Sequence, residues 1–374
     1  MSEPFFQISA NDPGCRARAG TMQFSRGEVP TPWFTPVGTY ATVKAMTPEE
    51  LKDLGAAMIL CNTYHLYLRP GMEIMRTVGG LHRFMNWDRP ILTDSGGYQV
   101  FSLSEFRKIT EEGVTFRSHL DGSKHLLTPE SVIEIQRTLG SNIAMVLDEC
   151  PPHDVDEAYM QRSMDRTTRW AERSLQNRQE APERIFGIIQ GGISPKMRTA
   201  HAAQIGALPF DGLAIGGLGV GEAGEAYSDV LAALGETLDS ARPHYLMGLG
   251  RPQDILEAVT HGVDLFDCVV PTRNARNGQF FTREGPRHIK NAENAASTAP
   301  LEESCACYSC VNYSRAYVRH LYQAGEILSS RLLTTHNLHF YLNMMREVRA
   351  AIEAGRFLEY KSGFLEAYLG GPEH

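Results

Sequence analysis

Eight short apolar runs, each giving way to a glycine, an acid or an amide, constrain this chain more than any other feature: WFTPVGTY, MILCNTYH, ILTDSGGYQ, IAMVLDEC, IFGIIQGG, GLAIGGLG, HYLMGLG and LFDCVVPT. Apolar residues on consecutive positions suit strands buried on both faces, as in a parallel sheet covered by helices. Between most of the runs lie helix-like stretches with charged faces, such as SVIEIQRTLG after Pro129 and PQDILEAVTHG after Arg251. This strand-then-helix alternation predicts an α/β protein built as a (β/α)8 barrel, which sets the polar residue closing each run at the rim formed by the strands' C-terminal ends. Asp94, Asp148, Gln190, Gly216 with Gly217, Gly248 and Asp267 would then share one mouth. Ahead of the first barrel strand, FQISANDPGCRARAGTMQF predicts a β-hairpin layer turning at Asp-Pro-Gly. The expected division is residues 1–300 as barrel plus N-terminal β layer, and 301–374 as a smaller subdomain carrying CACYSC, with C-terminal helices packed on the barrel.

At 374 residues and 42% hydrophobic content the chain can bury a substantial core. No apolar run reaches the roughly 18 residues that cross a bilayer, and the start, MSEPFFQISANDPG, lacks the basic and apolar blocks of a signal peptide; a cytoplasmic protein is expected. A net charge of −8 argues against coating nucleic acid non-specifically, so a polyanion partner would need a local patch. One is available between Arg273 and Lys290, where Arg273, Arg276, Arg283, Arg287 and Lys290 face a single acid, Glu284. Arginine forks at a catalytic rim would grip phosphates; the alternative is a solvated charged face.

The cysteine count of 7 is odd, and Cys305, Cys307 and Cys310 crowd into CACYSC, so metal binding explains them better than disulfides. Three thiolates and one histidine make a closed tetrahedral zinc site with a structural role. Spacing leaves His320, His336 and His339 open as the fourth ligand; His320 lies in helix-like SRAYVRHLY, whereas His336 follows turn-like LLTTHN.

The rim motifs carry the chemistry. In TDSGGYQVFSL, Asp94 precedes two glycines that allow close backbone approach and Tyr98, a flat ring suited to a planar ligand; the alternative is a capped glycine turn. Asp148 in VLDECPP accepts hydrogen bonds and Gln190 in IIQGG donates and accepts, so together they can read the edge of a purine-like base. Cys150 fits a small wall residue better than a nucleophile. Gly216 and Gly217 offer backbone N–H groups to a ligand, or else serve tight packing. Asp94 and Asp267 form the candidate pair for displacement at a sugar anomeric carbon, which needs a carboxylate nucleophile and an acid/base group. A salt bridge from Asp267 to Arg273 or Arg276 is the alternative.

Taken together, DSGGYQ, LDEC, the Gln190 loop, AIGGL, LMGLG, FDCVVPTRNARNGQ and CACYSC followed by LLTTHN resemble the bacterial-type tRNA-guanine transglycosylases, in that family's motif order, from about residue 7 to residue 370. The resemblance implies a (β/α)8 barrel with an inserted zinc subdomain, and exchange of the wobble guanine (position 34) of GUN-anticodon tRNAs (Asp, Asn, His, Tyr) for a free 7-substituted 7-deazaguanine. Carried over by motif, Asp267 would be the nucleophile on the ribose and Asp94 the general acid/base. The implied base pocket comprises Asp94, Ser95, Gly96, Gly97, Asp148, Cys150, Gln190, Gly217, Leu218 and Val220, with Tyr98 and Met247 on the two faces of the heterocycle. Gly248, Arg251, Thr272, Arg273 and Arg276 match segments that contact the anticodon loop. Cys305, Cys307, Cys310 and His336 match the ligands of one structural zinc per subunit, and a homodimer is implied. Cys150 and Val220 look like the bacterial form, which takes preQ1 (7-aminomethyl-7-deazaguanine) in place of queuine. TPWFTPVGTYAT matches the family's first strand only approximately.

Overall fold

The structure, a computed structural model, describes residues 4–103, 106–152, 155–178, 182–218 and 224–370. Strands β1 (Phe6–Asn11), β2 (Arg18–Phe24) and β3 (Gly27–Thr31) form an antiparallel sheet. The expected hairpin turns where anticipated, with Asp12 Oδ1 accepting from the Gly14 N–H at 2.9 Å, and GEVPT adds a third strand to it.

Eight parallel strands follow: β4 (Trp33–Pro36), β5 (Ile59–Cys61) and β6 (Ile91–Thr93), then, after an antiparallel insertion of β7 (Arg107–Ile109), β8 (Val114–Arg117) and β9 (Lys124–Leu127), the strands β10 (Ile143–Met145), β11 (Arg184–Ile189), β12 (Gly212–Ile215), β13 (His244–Leu246) and β14 (Leu265–Cys268). Their order, β4-β14-β13-β12-β11-β10-β6-β5, brings the first two barrel strands to opposite ends of the ladder. A parallel bridge between Val37 and Leu60, with Gly38 N donating to Leu60 O at 2.6 Å, links those ends and nearly closes the barrel. Apart from half-buried Arg184, every residue in these eight strands is buried, which explains why the runs read as continuous apolar segments. Helices Pro129–Leu139 and Pro252–Thr260 form where the charged-face stretches predict them. The three-strand insertion has no counterpart in the sequence reading, because β7 to β9 are short and lie outside the barrel repeat.

The N-terminal layer is tied to the barrel end opposite the rim. Arg18, on β2, donates from Nε and Nη2 to the two carboxylate oxygens of Asp264 at 2.9 and 2.6 Å, and Asp264 Oδ2 also accepts from the His244 N–H at 2.7 Å. Both side chains are buried, which the bidentate geometry permits because each charge finds its partner and a full set of hydrogen bonds.

Beyond the barrel, strands β15 (Gln279–Thr282) and β16 (Gly285–His288) pair as a hairpin, and a second apolar core gathers Ala275, Phe280, Ile289, Leu301, Val318, Leu321, Leu332 and Leu333 around the cysteines. The turn expected at LLTTHN is absent: His336 lies inside the 27-residue helix Ile327–Glu353. Leu332, Leu333, Leu338, Phe340 and Tyr341 anchor that helix in buried contacts, so packing overrides the weak helix propensity of paired threonines. Among the described residues no helix is long and apolar enough to cross a membrane.

Candidate active site and metal centre

A cavity of about 520 Å³ opens at the strands' C-terminal ends and is lined by Asp94, Asp148 and Asp267, three buried carboxylates from three separate strand ends. Each is held by neutral donors. Asp94 directly follows β6, and the residues that follow β5 reach across to it: Asn62 Nδ2 donates to Oδ2 at 2.5 Å and Thr63 N to Oδ1 at 2.8 Å. Gln99 Nε2 also donates to Oδ2 at 2.8 Å. Burial pushes the Asp94 carboxyl up to about 6, against the pull of these donors, with the nearby Asp267 adding to the rise.

Asp267 sits on β14 with its two oxygens in different situations. Tyr245 Oη donates to Oδ1 at 2.5 Å and Gly248 N donates to the same atom at 2.8 Å. Among the described residues no donor reaches Oδ2. Burial raises this carboxyl above its ordinary range, opposed by those two donors. Burial and the carboxylate also raise the Tyr245 phenol, which keeps it a donor. Neither Arg273 nor Arg276 pairs with Asp267: Arg273 lines the mouth, and Arg276 Nη1 donates to Thr272 O at 2.7 Å.

Asp148, shortly after β10, accepts from Gln190 Nε2 at 2.7 Å and Ser95 Oγ at 3.3 Å, and burial pushes it up to about 6. Gln190 is itself buried, and Gly217 presses against it with φ +63°, where a Cβ would stand 2.4 Å from Gln190 Oε1. Only glycine satisfies both the backbone angle and that contact. Ser95, Gly96, Cys150 and Leu218 complete the wall, while Tyr98, 49% exposed, and half-buried Met247 offer flat and soft surfaces at the opening.

Other expected residues are placed differently. Gly97 packs beside Asp148 without lining the cavity. Gly248 lines the cavity and Arg251 lies at its edge, the latter bridged to Asp254 at 2.8 Å. Thr272 is buried and donates to Val269 O at 3.2 Å, so neither it nor Arg276 lines the cavity. Val220 falls outside the described residues. The basic strip is interrupted, since Arg283 pairs with Glu347 and Arg287 with Glu284. A more open groove of about 560 Å³ between helices Ile327–Glu353 and Phe357–Leu369 contains that Arg283–Glu347 pair but no convergent buried carboxylates, so the chemistry belongs to the barrel mouth.

In the second apolar core, Cys305, Cys307 and Cys310 surround His336, all four ligand atoms lying within 4.8 Å of one another. His336 Nδ1 stands 3.6, 3.7 and 3.3 Å from the three sulfurs. A tetrahedral zinc with bonds of about 2.3 Å to sulfur and about 2.0 Å to nitrogen holds such atoms about 3.5 Å apart, so the cluster fits that ion. The other ring nitrogen, Nε2, meets Phe281 O at 2.7 Å, an outer contact that fixes the ring's orientation. His320 is exposed and His339 half-buried, and neither joins the cluster.

The model for queuine tRNA-ribosyltransferases matches residues 12–370. The chain belongs to the queuine tRNA-ribosyltransferase family. A member from Desulforamulus reducens is 52% identical over 365 residues, covering 98% of this chain and 99% of its own. One from Thioalkalivibrio sulfidiphilus is 54% identical over 359 residues, 96% of each chain, and one from Idiomarina loihiensis 54% over 349 residues, 93% of this chain and 94% of its own. Members of the queuine tRNA-ribosyltransferase family are transferases that act on tRNA, so the resemblance drawn from the rim and cysteine motifs holds over nearly the whole chain.

Within this family frame, the residues that sequence reasoning passed over are Asn62, Thr63, Gln99 and Tyr245, which hold the two central carboxylates. Asn62 was findable, because it closes the apolar run MILC as Asp94 closes ILT. Tyr245 was not, since within HYLMGLG it reads as one more core residue.

The metal centre carries its own test. Elemental analysis is expected to find about one zinc per chain, and either chelation or Cys307→Ser should lower the melting temperature by unfolding the apolar core around the cysteines. Metal-free protein of undiminished stability would contradict it.

Proposed function

We propose that this protein exchanges the wobble guanine of GUN-anticodon tRNAs (Asp, Asn, His, Tyr) for preQ1, through a covalent bond between Asp267 and the ribose. One observation carries the reading: a cavity-lining carboxylate whose Oδ1 is fixed by two donors, with Oδ2 clear of any described donor and a second buried carboxylate in the same cavity. Such an arrangement suits one group that attacks carbon and one that moves protons.

In the first step Asp267 Oδ2 attacks C1′ of the nucleotide, the bond from C1′ to N9 of guanine breaks, and the electron pair leaves on the base. Asp94, raised to about 6, delivers a proton to the departing base. In the second step Asp94 takes the N9 proton of the incoming base, whose lone pair attacks C1′ and returns Asp267 as carboxylate. Two inversions give net retention. Tyr245 and the Gly248 amide stabilise the Asp267 carboxylate each time it leaves.

The heterocycle would lie between Tyr98 and Met247, where stacking contributes about 1–3 kcal/mol. Asp148 would accept from the N–H edge of the base. Gln190 Nε2, one of whose protons already engages Asp148, would direct its other proton with the Gly217 amide toward the 6-oxo group. Ser95, Gly96, Gly97, Cys150, Leu218 and Val220 would shape the pocket, with Cys150 and Val220 favouring a small aminomethyl group. Gly248, Arg251, Thr272, Arg273 and Arg276 would meet the anticodon loop, Arg251 by exchanging Asp254 for phosphate. We further read Cys305, Cys307, Cys310 and His336 as ligands of one structural zinc per subunit of a cytoplasmic homodimer, with the chain dividing near residue 300.

Labelled guanine should enter a GUN-anticodon tRNA in the presence of the protein, and Asp267→Ala should cut the rate by roughly 10⁴-fold or more. Release of free base without incorporation would make the protein a hydrolase, and undiminished incorporation by the variant would remove Asp267 from the mechanism.

The pH profile follows from burial. Asp94 must be ionised to take the N9 proton of the incoming base, and a carboxyl raised to about 6 loses that form as pH falls through the raised value, so kcat/KM for the incoming base should drop below about pH 6. A kcat/KM for the incoming base unchanged down to about pH 4.5 would show that Asp94 is not perturbed in the working enzyme.

A further inference from the structure

The helix Pro195–Gly206 runs behind the ends of β11 and β12 and carries two fully buried polar side chains, Arg198 and His201, that the reaction scheme does not use. Arg198 donates from Nη1 to Ile189 O at 2.9 Å and Gly216 O at 2.7 Å, and from Nε to Gly192 O at 2.8 Å. These three carbonyls bracket Gln190 on one strand end and precede Gly217 on the next. His201 Nδ1 accepts from the Gln190 N–H at 2.8 Å. Burial depresses this imidazole to about 4, so it stays neutral and able to accept. Helix and guanidinium thus fasten the backbone of both groups that face the 6-oxo edge of the base.

We propose that Arg198 is a positioning residue for recognition of that edge, holding the Gln190 side chain and the Gly217 amide at one fixed separation. The proposal rests on the base-exchange reading above. A lysine in its place keeps the charge, but an ammonium on a flexible stem cannot span three carbonyls in the plane of a guanidinium fork. Gln190 and Gly217 are in close contact, so a small shift of either strand end displaces both donors together. A hydrogen-bonding site loosened in this way loses affinity chiefly for ligands that present a strong acceptor.

The test compares guanine with 6-thioguanine, which keeps the N1–H and 2-amino donors but replaces the oxygen with a weak acceptor. With wild-type protein, KM for guanine and the inhibition constant for 6-thioguanine are measured in the tRNA exchange assay. Arg198→Lys is expected to raise KM for guanine about tenfold, change kcat less, and leave the 6-thioguanine constant within about threefold, so that discrimination collapses. A residue that only stabilises the fold would lower the active fraction and melting temperature while the surviving enzyme kept wild-type KM and discrimination; that result overturns the proposal. Should Arg198→Lys fail to fold, Arg198→Gln, which keeps one donor toward these carbonyls but not the fork, takes its place, and the same loss of discrimination is expected; unchanged discrimination there overturns the proposal equally. Wild-type protein that incorporates no guanine would instead sink the base-exchange reading itself.

Discussion

Three carboxylates buried in one barrel mouth and satisfied only by neutral donors are the constraint around which the rest of this structure is arranged. An arginine or lysine beside any of them would hold it firmly ionised and inert. Amides, hydroxyls and backbone N–H groups satisfy their lone pairs without cancelling the charge, so burial wins and the carboxyls of Asp94 and Asp148 rise to about 6. That places proton exchange near neutral pH, where a group that both gives and takes a proton is most effective. The contrast with Asp264 at the opposite end of the barrel is informative. That acid is buried as completely, but Arg18 grips it bidentately, and it serves the fold.

Holding such a mouth open requires the strand ends to be fixed from outside. The residues after β5 brace Asp94, the phenol of β13 braces Asp267, and the helix Pro195–Gly206 fastens the ends of β11 and β12. The N-terminal sheet seals the far end, and the long helix Ile327–Glu353 joins the barrel to the Cys/His cluster through His336 and its neighbours. Each brace lies on a different element from the group it steadies, as preorganisation of a site at a barrel rim demands.

Much of this was legible in the sequence because the barrel repeats its own logic. Each apolar run forms a strand, so the pattern put Asp94, Asp148 and Asp267 at strand ends, where they line one cavity, with Gln190 buried against Asp148. The cluster of Cys305, Cys307 and Cys310 was equally plain, since three thiols so close in a chain have few other uses. Harder to read were interactions that depend on which strands become neighbours. Asn62 and Thr63 meet Asp94 only because β5 and β6 pair, and Tyr245 meets Asp267 only because β13 and β14 do. The arginines between residues 273 and 290 looked like one patch, yet Arg283 and Arg287 are taken up by acids, Glu347 far along the chain and Glu284 close by. His336 read as part of a turn because local propensity says nothing of the buried leucines and aromatics that keep its helix intact.

The proposed mechanism requires that Asp267 become bonded to RNA. Stopping the reaction with acid during turnover on end-labelled tRNA, and resolving the products on a denaturing gel, reads this directly. A band carrying both protein and label is expected, one that fades when free base is added and is missing from Asp267→Asn. An active enzyme that gives no such band, or a band that persists in the variant, would contradict the account.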